Sequence, residues 1–290
     1  MDSFDYLAPR SLNEAFSALG NGKTSLLLAG GTDVIVQLRE GRRHCDQLID
    51  LKHIPELMSY KANADGSLEI GAAVPLAELY ENTDIQRRFP ALVDCATIIG
   101  GIAIQSRATL GGNLSNASPA ADSSPALMAL NARLVIASSA GSREIAVEDY
   151  FAGPGRNTLQ PGELLLQVKI SAPAPNSGAF YHRFIPRNEM DIAVASSGVA
   201  ITLDADENIT AARVALGAVA ATPVLVPAAA AALIGKPANA ETFAAAGEAA
   251  AAAATPIDDM RGGIAQRKHL AKILTIRALD NALNRIRENR

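Results

Sequence analysis

The chain has 290 residues, a formal net charge of −4, 49% hydrophobic and 19% charged residues, which indicates a globular protein and excludes a disordered one. No apolar run reaches the ~20 residues of a membrane-spanning helix, the start lacks the pattern of a signal peptide, and no basic stripe suits nucleic acid. Two widely separated cysteines, Cys45 and Cys95, predict free thiols in a cytoplasmic protein without a cysteine-ligated metal site.

Residues 1–57 have the pattern of a small α/β unit. Apolar residues at helical spacing predict helices over 11–19 and 34–40. Short apolar runs predict strands over 25–29 and 47–51. This alternation of helix and strand predicts a first subdomain.

Residues 58–174 predict a second, mixed subdomain. Its predicted helices lie near 76–80 and over 84–99, and its predicted strands begin at Leu68 and span 133–137 and 163–170.

A linker rich in turn-forming residues, 171–178, separates the second subdomain from a predicted third domain over 175–290. Alternating residues predict antiparallel strands over 180–185, 192–203 and 209–216. Alanine-rich helices follow from residue 227, and the last predicted helix covers 262–287. The fold class expected for the whole chain is α+β.

The stretch AGGTD, residues 29–33, joins a predicted strand to a predicted helix. Paired glycines allow positive φ angles and the close approach of a ligand. Successive amide N–H groups in such a turn form an anion site, to which a helix beginning near Thr32 or Asp33 would add its dipole. Asp33 could cap that helix and face away from a phosphate. The alternative is an ordinary turn between strand and helix.

A second glycine pair, Gly111–Gly112, lies in TLGGNLSNASPAAD, residues 109–122. Two helix-free segments, both rich in backbone donors, could hold one pyrophosphate from two sides. Asp122 could then accept hydrogen bonds from ribose or ribityl hydroxyls. It could instead cap a helix that begins at residue 123, and both roles are compatible.

Two cations, Arg183 and Arg187, precede a predicted strand that starts at Asp191. Either guanidinium could pair with phosphate or with electron-rich ring oxygens. Surface ion pairs are the alternative.

Together and in this order, AGGTD, TLGGNLSNASPAADSSPAL and RxxxRxxxDIA resemble the FAD-binding (medium) subunits of molybdenum hydroxylases, the family of carbon monoxide dehydrogenase and xanthine dehydrogenase. The resemblance covers nearly the whole chain, and the stretch beginning TLGGN is its most specific motif. It implies a two-subdomain FAD-binding fold similar to that of vanillyl-alcohol oxidase, followed by a C-terminal α+β domain with a small antiparallel sheet and a helix bundle.

The resemblance also implies a site for non-covalent FAD, with no catalytic acid or base and no metal ligand in this chain. The pyrophosphate would lie between two groups of residues: Ala29, Gly30, Gly31, Thr32 and Asp33 on one side, and Thr109, Gly111, Gly112 and Asn113 on the other. The remaining expected contacts are Asp122 near the ribityl or ribose, Ile99 and Leu164 or Leu165 against the flavin ring, Arg183 near the ring, and Asp191 of the DIA motif. Ile99 is aliphatic where xanthine dehydrogenase has an aromatic residue.

Partners follow from the same resemblance. A large subunit would carry the molybdenum cofactor, and a small subunit would carry two [2Fe–2S] clusters that pass electrons to FAD in this chain and on to an external acceptor. A heterotrimer or its dimer is expected. The alternatives are a stand-alone flavoprotein oxidoreductase with its own substrate and a binding subunit that has lost FAD.

Two expectations concern single residues. Removing Arg183 should lower the flavin reduction potential, because a cation near the ring favours the anionic reduced form. A side chain added at Gly30, Gly31, Gly111 or Gly112 should impair FAD binding more than folding.

Overall fold

The computed structural model describes residues 2–187 and 189–289. The first residues form a parallel three-stranded sheet in the order β1-β3-β2, with the buried strand β3 in its centre. The elements are β1 (Asp5–Leu7), α1 (Leu12–Leu19), β2 (Ser25–Leu28), α2 (Val34–Arg39), β3 (Gln47–Asp50) and α3 (Pro55–Met58). The two predicted strands and two predicted helices are present, whereas β1 was not predicted because its side chains are largely exposed and show no apolar pattern.

The second unit is an antiparallel five-stranded sheet in the order β4-β5-β10-β6-β7, flanked by short helices and a small hairpin. Its strands are β4 (Tyr60–Ala62), β5 (Leu68–Gly71), β6 (Arg133–Ser138), β7 (Gly141–Ala146), β8 (Phe151–Gly153), β9 (Arg156–Asn157) and β10 (Leu164–Ile170). Its helices are α4 (Leu76–Glu81), α5 (Thr83–Arg88), α6 (Pro90–Ala96), α7 (Ile102–Gln105), α8 (Leu110–Ser115) and α9 (Ser123–Ala129).

The single helix predicted over 84–99 is wrong. The chain forms α5 and α6 instead, separated at Phe89 by Pro90, which begins α6. Proline lacks the N–H that would continue the first helix and is well suited to the first turn of the second.

The third unit is an antiparallel four-stranded sheet in the order β11-β12-β13-β14, covered by three helices. Its elements are β11 (Ser177–Phe184), β12 (Ala195–Leu203), β13 (Ile209–Gly217), β14 (Val224–Leu225), α10 (Pro227–Leu233), α11 (Ala240–Ala253) and α12 (Ile264–Glu288). The strand predicted to start at residue 192 begins at Ala195. No helix within residues 2–187 or 189–289 is both long and apolar enough to cross a membrane.

Helix α9 joins the second unit to the third sheet. All seven of its residues are buried, and it packs on β12 and β13. The contact is at backbone distance, because a Cβ added at Gly198 would lie 2.3 Å from the carbonyl oxygen of Pro125. The start of α9, which carries Asp122 and Ser123, is therefore held between the two units.

Candidate cofactor-binding site

A cleft runs between the β2–α2 turn and helix α8. Of the fourteen residues predicted as cofactor contacts, the cleft is lined by eleven: Ala29, Gly30, Gly31, Thr32, Asp33, Ile99, Thr109, Gly111, Gly112, Asn113 and Leu165. Ile99 and Leu165, only 7% and 4% exposed, contribute an apolar surface. The other three, Asp122, Arg183 and Asp191, do not line the cleft.

The glycine turn after β2 presents free backbone donors to the cleft. The five successive N–H groups from Gly30 to Val34 have no acceptor anywhere in the described parts of the chain. Gly31 has a φ of +84°, which glycine adopts without the strain of a side chain. Donors that follow one another in a turn can bind an anion between them.

Asp33 occupies the N-cap position of α2, but its side chain makes no capping hydrogen bond. The expectation that its carboxylate caps the helix is therefore wrong. Helical hydrogen bonding begins with the bond from Ile35 N to Gly31 O, 3.2 Å.

The end of β2 is fixed by a lysine. Lys52 Nζ donates to the carbonyl oxygen of Ala29 at 3.0 Å and to Asp50 Oδ1 at 2.6 Å, while the Tyr6 hydroxyl donates to the other carboxylate oxygen of Asp50. Burial alone would raise the pKa of Asp50, but the hydrogen bonds from Lys52 and Tyr6 outweigh it and lower the pKa. The ionised carboxylate therefore helps to hold the strand from which the glycine turn starts.

Acid is expected to weaken this arrangement. Since the pKa of Asp50 is lower in the folded state than in the unfolded state, its contribution to stability is present above the unfolded value of about 4 and is lost as the pH falls through the folded value. Urea unfolding at a series of pH values should show a smaller loss of stability below about pH 4 in Asp50→Asn than in the wild type. Asp206→Asn, at an exposed carboxylate with no ion pair in the described chain, should behave as the wild type; an equal effect of both substitutions would contradict the role of Asp50.

One glycine of each segment packs directly against backbone. A Cβ added at Gly30 would lie 1.8 Å from the carbonyl oxygen of Arg107, and one added at Gly111 would lie 2.4 Å from the carbonyl oxygen of Ala72. Both glycines therefore allow close packing. At Gly30 and Gly111 the structure therefore predicts a larger cost to folding than to FAD binding, contrary to the expectation from the sequence.

The second glycine segment was expected to be free of helix, but both of its glycines lie in α8. The N–H groups of both glycines are already used: Gly111 N donates to Ala72 O at 3.1 Å, and Gly112 N donates to Thr109 Oγ1 at 2.9 Å. The expectation of two similar donor-rich segments is wrong. The five consecutive free backbone donors that line the cleft lie in the turn at Gly30–Val34.

Helix α8 instead offers side chains to the cleft. The hydroxyl of buried Ser123 donates to Asn113 Oδ1 at 2.6 Å. This bond leaves Asn113 Nδ2, which has no acceptor in the described chain, as a free donor beside the cleft. An amide N–H₂ fixed in this way can donate to a phosphate or hydroxyl oxygen.

Several residues that line the cleft were not predicted from the sequence as cofactor contacts, among them Gln37, Arg43, Asn116 and Asn157. Gln37 Nε2 donates to Asn116 Oδ1 at 3.0 Å, which links α2 to the end of α8. Asn157 donates to the carbonyl oxygen of Ser115 at 2.9 Å. Asn116 could have been predicted as a cleft residue, because it lies in the stretch that begins TLGGN. No sequence motif near Asn157 predicts that it lines the cleft.

Asp122 and Arg183 form a buried ion pair. Arg183 Nη1 donates to Asp122 Oδ2 at 2.8 Å, and the Tyr181 hydroxyl donates to Asp122 Oδ1 at 2.6 Å. Burial raises the pKa of Asp122 although Arg183 and Tyr181 oppose the shift. Asp122 occupies the N-cap position of α9 without a side-chain capping bond, so the alternative of a capping carboxylate is wrong.

Asp191 accepts a hydrogen bond from its neighbour Ile192 N at 2.9 Å and pairs with Arg187 at 3.5 Å. Arg187 therefore forms an ion pair within the protein, which was the alternative to a contact with phosphate or with the ring oxygens. Neither residue lines the cleft.

Two family models match the chain. The FAD binding domain in molybdopterin dehydrogenase matches residues 2–173, and the CO dehydrogenase flavoprotein C-terminal domain matches residues 180–282.

Similar proteins match over almost the full length. The putative xanthine dehydrogenase FAD-binding subunit of Escherichia coli strain K12 is 30% identical, over 97% of each chain. Among solved structures, carbon monoxide dehydrogenase from Hydrogenophaga pseudoflava and quinoline 2-oxidoreductase from Pseudomonas putida 86 are each 29% identical, over 98% of each chain, with TM-scores of 0.93 and 0.91. The expected α+β fold, an FAD-binding part followed by a C-terminal α+β domain, is confirmed. The chain belongs to the family of FAD-binding medium subunits of molybdopterin dehydrogenases, which are subunits of oxidoreductases such as carbon monoxide dehydrogenase and xanthine dehydrogenase.

Proposed function

We propose that this chain binds FAD non-covalently in the cleft, accepts electrons from the [2Fe–2S] clusters of a small partner subunit and passes them to an external acceptor. A large partner subunit with the molybdenum cofactor would hydroxylate the substrate, and the three subunits would form a heterotrimer or its dimer. The observation that carries the proposal is the row of five unpaired N–H groups from Gly30 to Val34, facing a cleft beside two buried apolar side chains.

The donors in the cleft suit a pyrophosphate. The turn at Gly30–Val34 offers N–H groups from one side, and Asn113 Nδ2 offers a further donor from α8. FAD, when bound, supplies the redox chemistry, and the protein supplies binding and orientation. Ile99 and Leu165 would exclude water from the apolar part of the site.

The eleven cleft residues are our proposed cofactor contacts. For Asp122 and Arg183, the mutual ion pair supports a role in holding the second and third units together rather than direct contact with the cofactor. Because the charge of Arg183 is paired, its proposed effect on the flavin potential requires a rearrangement of this pair.

We also propose a division into subdomains at 1–57 and 58–174 and a C-terminal domain at 175–290. The separate three-, five- and four-stranded sheets support it. The first proposed boundary, between residues 57 and 58, falls inside α3 (Pro55–Met58).

The absorption spectrum of the purified chain tests the cofactor. We expect the two visible bands of an oxidised flavin, and acid or heat should release FAD into solution because it is not tethered. A colourless chain that takes up no added FAD would contradict the proposal. A flavoprotein that turns over a substrate by itself, without iron or molybdenum in any copurifying chain, would favour the stand-alone oxidoreductase.

A further inference from the structure

The free donor of Asn113 has a counterpart one helical turn further along α8. Gln37 Nε2 donates to Asn116 Oδ1 at 3.0 Å, and Asn116 Nδ2 has no acceptor within residues 2–187 and 189–289. Asn116 ends α8 with helical backbone angles, φ −64° and ψ −21°, and residues three apart lie on one side of a helix. Since both asparagines line the cleft, α8 offers it two amide donors, one held by Ser123 and one by Gln37.

The apolar part of the cleft lies at the first turn of α8. Leu165, which lines the cleft, is followed by Leu166, whose carbonyl oxygen accepts from Ala72 N at 3.0 Å. Ala72 O in turn accepts from Gly111 N at 3.1 Å. Asn116 comes five residues after Gly111, about 7.5 Å further along the helix axis. Its amide therefore lies at the end of the cleft that is remote from Leu165.

The opposite wall of the cleft runs in the same direction. Gly30 packs against the carbonyl oxygen of Arg107, just before α8 begins, whereas Gln37 is bonded to Asn116 at the end of α8. The free N–H groups of Gly30–Val34 lie along the chain between these two contacts. Asn116 therefore faces the space beyond the N–H row, on the side away from the apolar side chains.

The remote end of the cleft also carries a positive charge. Arg43 N donates to Gln37 O at 3.3 Å, and Arg43 lines the cleft without an ion pair in the part of the chain that the structure describes. A guanidinium beside amide donors suits an anionic group. Ile99 and Leu165, at the other end, suit an apolar ring instead.

We propose that Asn116 Nδ2 donates to the adenosine-side phosphate of FAD and that Gln37 is the positioning residue that aims it, an inference that rests on the proposed function. With the ring against the apolar side chains and one phosphate at the N–H row, the second phosphate reaches the remote end. FMN has the same ring and ribityl chain but ends at its single phosphate. Asn116 therefore favours FAD over FMN.

The test measures the affinity of the full-length chain, freed of flavin, for three probes. FAD and FMN are titrated by flavin fluorescence, and ADP, which carries both phosphates and adenosine without the ring, by calorimetry. Asn116→Ala removes the amide, and Asn116→Asp keeps an acceptor for Gln37 but replaces the N–H₂ donor with a carboxylate oxygen. Gln37→Met removes the bond to Asn116 at similar side-chain length.

Asn13→Ala is the matched control. Asn13 is an exposed residue of α1, and its side chain makes no hydrogen bond in the described chain. The substitution removes the same amide group at a place that does not line the cleft.

We expect Asn116→Ala to weaken the binding of FAD and of ADP by about tenfold each, the effect of losing one hydrogen bond to a charged group, and to leave FMN affinity unchanged. Asn116→Asp should lose more, because its charge repels the phosphate. Gln37→Met should weaken FAD binding by about threefold and should have no further effect in the Asn116→Ala background, because Gln37 acts through Asn116. The control should match the wild type.

Unchanged FAD affinity in Asn116→Ala would overturn the inference. An equal loss of FAD and FMN affinity would overturn it too, because a general loosening of the cleft weakens both, as would ADP affinity that stays at the wild-type value. Additive effects of Gln37→Met and Asn116→Ala would contradict the positioning role of Gln37. A wild-type chain that binds no FAD would contradict the proposed function itself, whereas a wild type that binds FAD together with unaffected variants would contradict this inference alone.

Discussion

Gly111→Ala is expected to destabilise the fold by about 1–3 kcal/mol or more. Gly111 is buried, and its added Cβ would lie 2.4 Å from Ala72 O and 2.5 Å from Ala72 Cβ, at the point where α8 packs against the end of β5. Real Cβ atoms do not approach backbone so closely, so the helix must move away from the sheet. Thermal unfolding should show a midpoint lower by several degrees.

Gly112→Ala provides the matched comparison one residue later. Its Cβ would meet only Thr109 Oγ1, at 2.9 Å, and nothing else within 4 Å, so it points into the cleft. Alanine favours a helix over glycine by about 1 kcal/mol, which offsets the displacement of the Thr109 cap. We expect near wild-type stability and at least about tenfold weaker FAD binding, equivalent to about 1.4 kcal/mol.

Flavin fluorescence on titration of the FAD-free chain measures the affinity, and thermal unfolding of the same preparations measures the stability. Equal stability losses in the two variants, with equal affinity, would contradict the assignment of Gly111 to packing and Gly112 to the cleft.

The different surroundings of Gly111 and Gly112 could not be predicted from the sequence. TLGGN and AGGTD identified the two sides of the cleft because paired glycines in these positions are a local signal. The sequence does not show which glycine faces Ala72 and which faces the cleft, because that depends on how α8 packs against β5. For the same reason, the free N–H groups at Gly30–Val34 could be anticipated, but the use of the α8 donors within the protein could not.

The other differences between expectation and structure have either a local cause, which the sequence shows, or a long-range cause, which it does not show. Pro90 was a visible helix breaker, so the division of 84–99 into two helices was available from the sequence. Asn157 reaches the cleft through a hairpin that pairs β8 with β9, and no local pattern places that hairpin beside α8. Asp122 is bound by Tyr181 and Arg183 from 59 and 61 residues away, and a one-dimensional pattern does not show such a pair.

The buried pair of Asp122 and Arg183 leads to the second large expected effect. Asp122→Ala leaves the guanidinium of Arg183, whose side chain is 6% exposed, without its counter-charge. Removing one partner of a buried ion pair typically costs about 3–5 kcal/mol. Urea unfolding should show this loss, whereas Arg87→Ala, which breaks an exposed pair with Asp84, should cost at most about 1 kcal/mol.

The double variant Asp122→Ala/Arg183→Met separates the charge from the rest of the site. Methionine keeps much of the length of arginine without its charge, so most of the stability lost in Asp122→Ala should return. FAD affinity measured on the same variants distinguishes the two roles of Asp122. If Asp122 acts through packing, affinity should recover together with stability in the double variant, because Ser123 again holds Asn113. If stability returns and FAD binding does not, the carboxylate itself contacts the cofactor, as the family resemblance implies, and the buried ion pair opens when FAD binds.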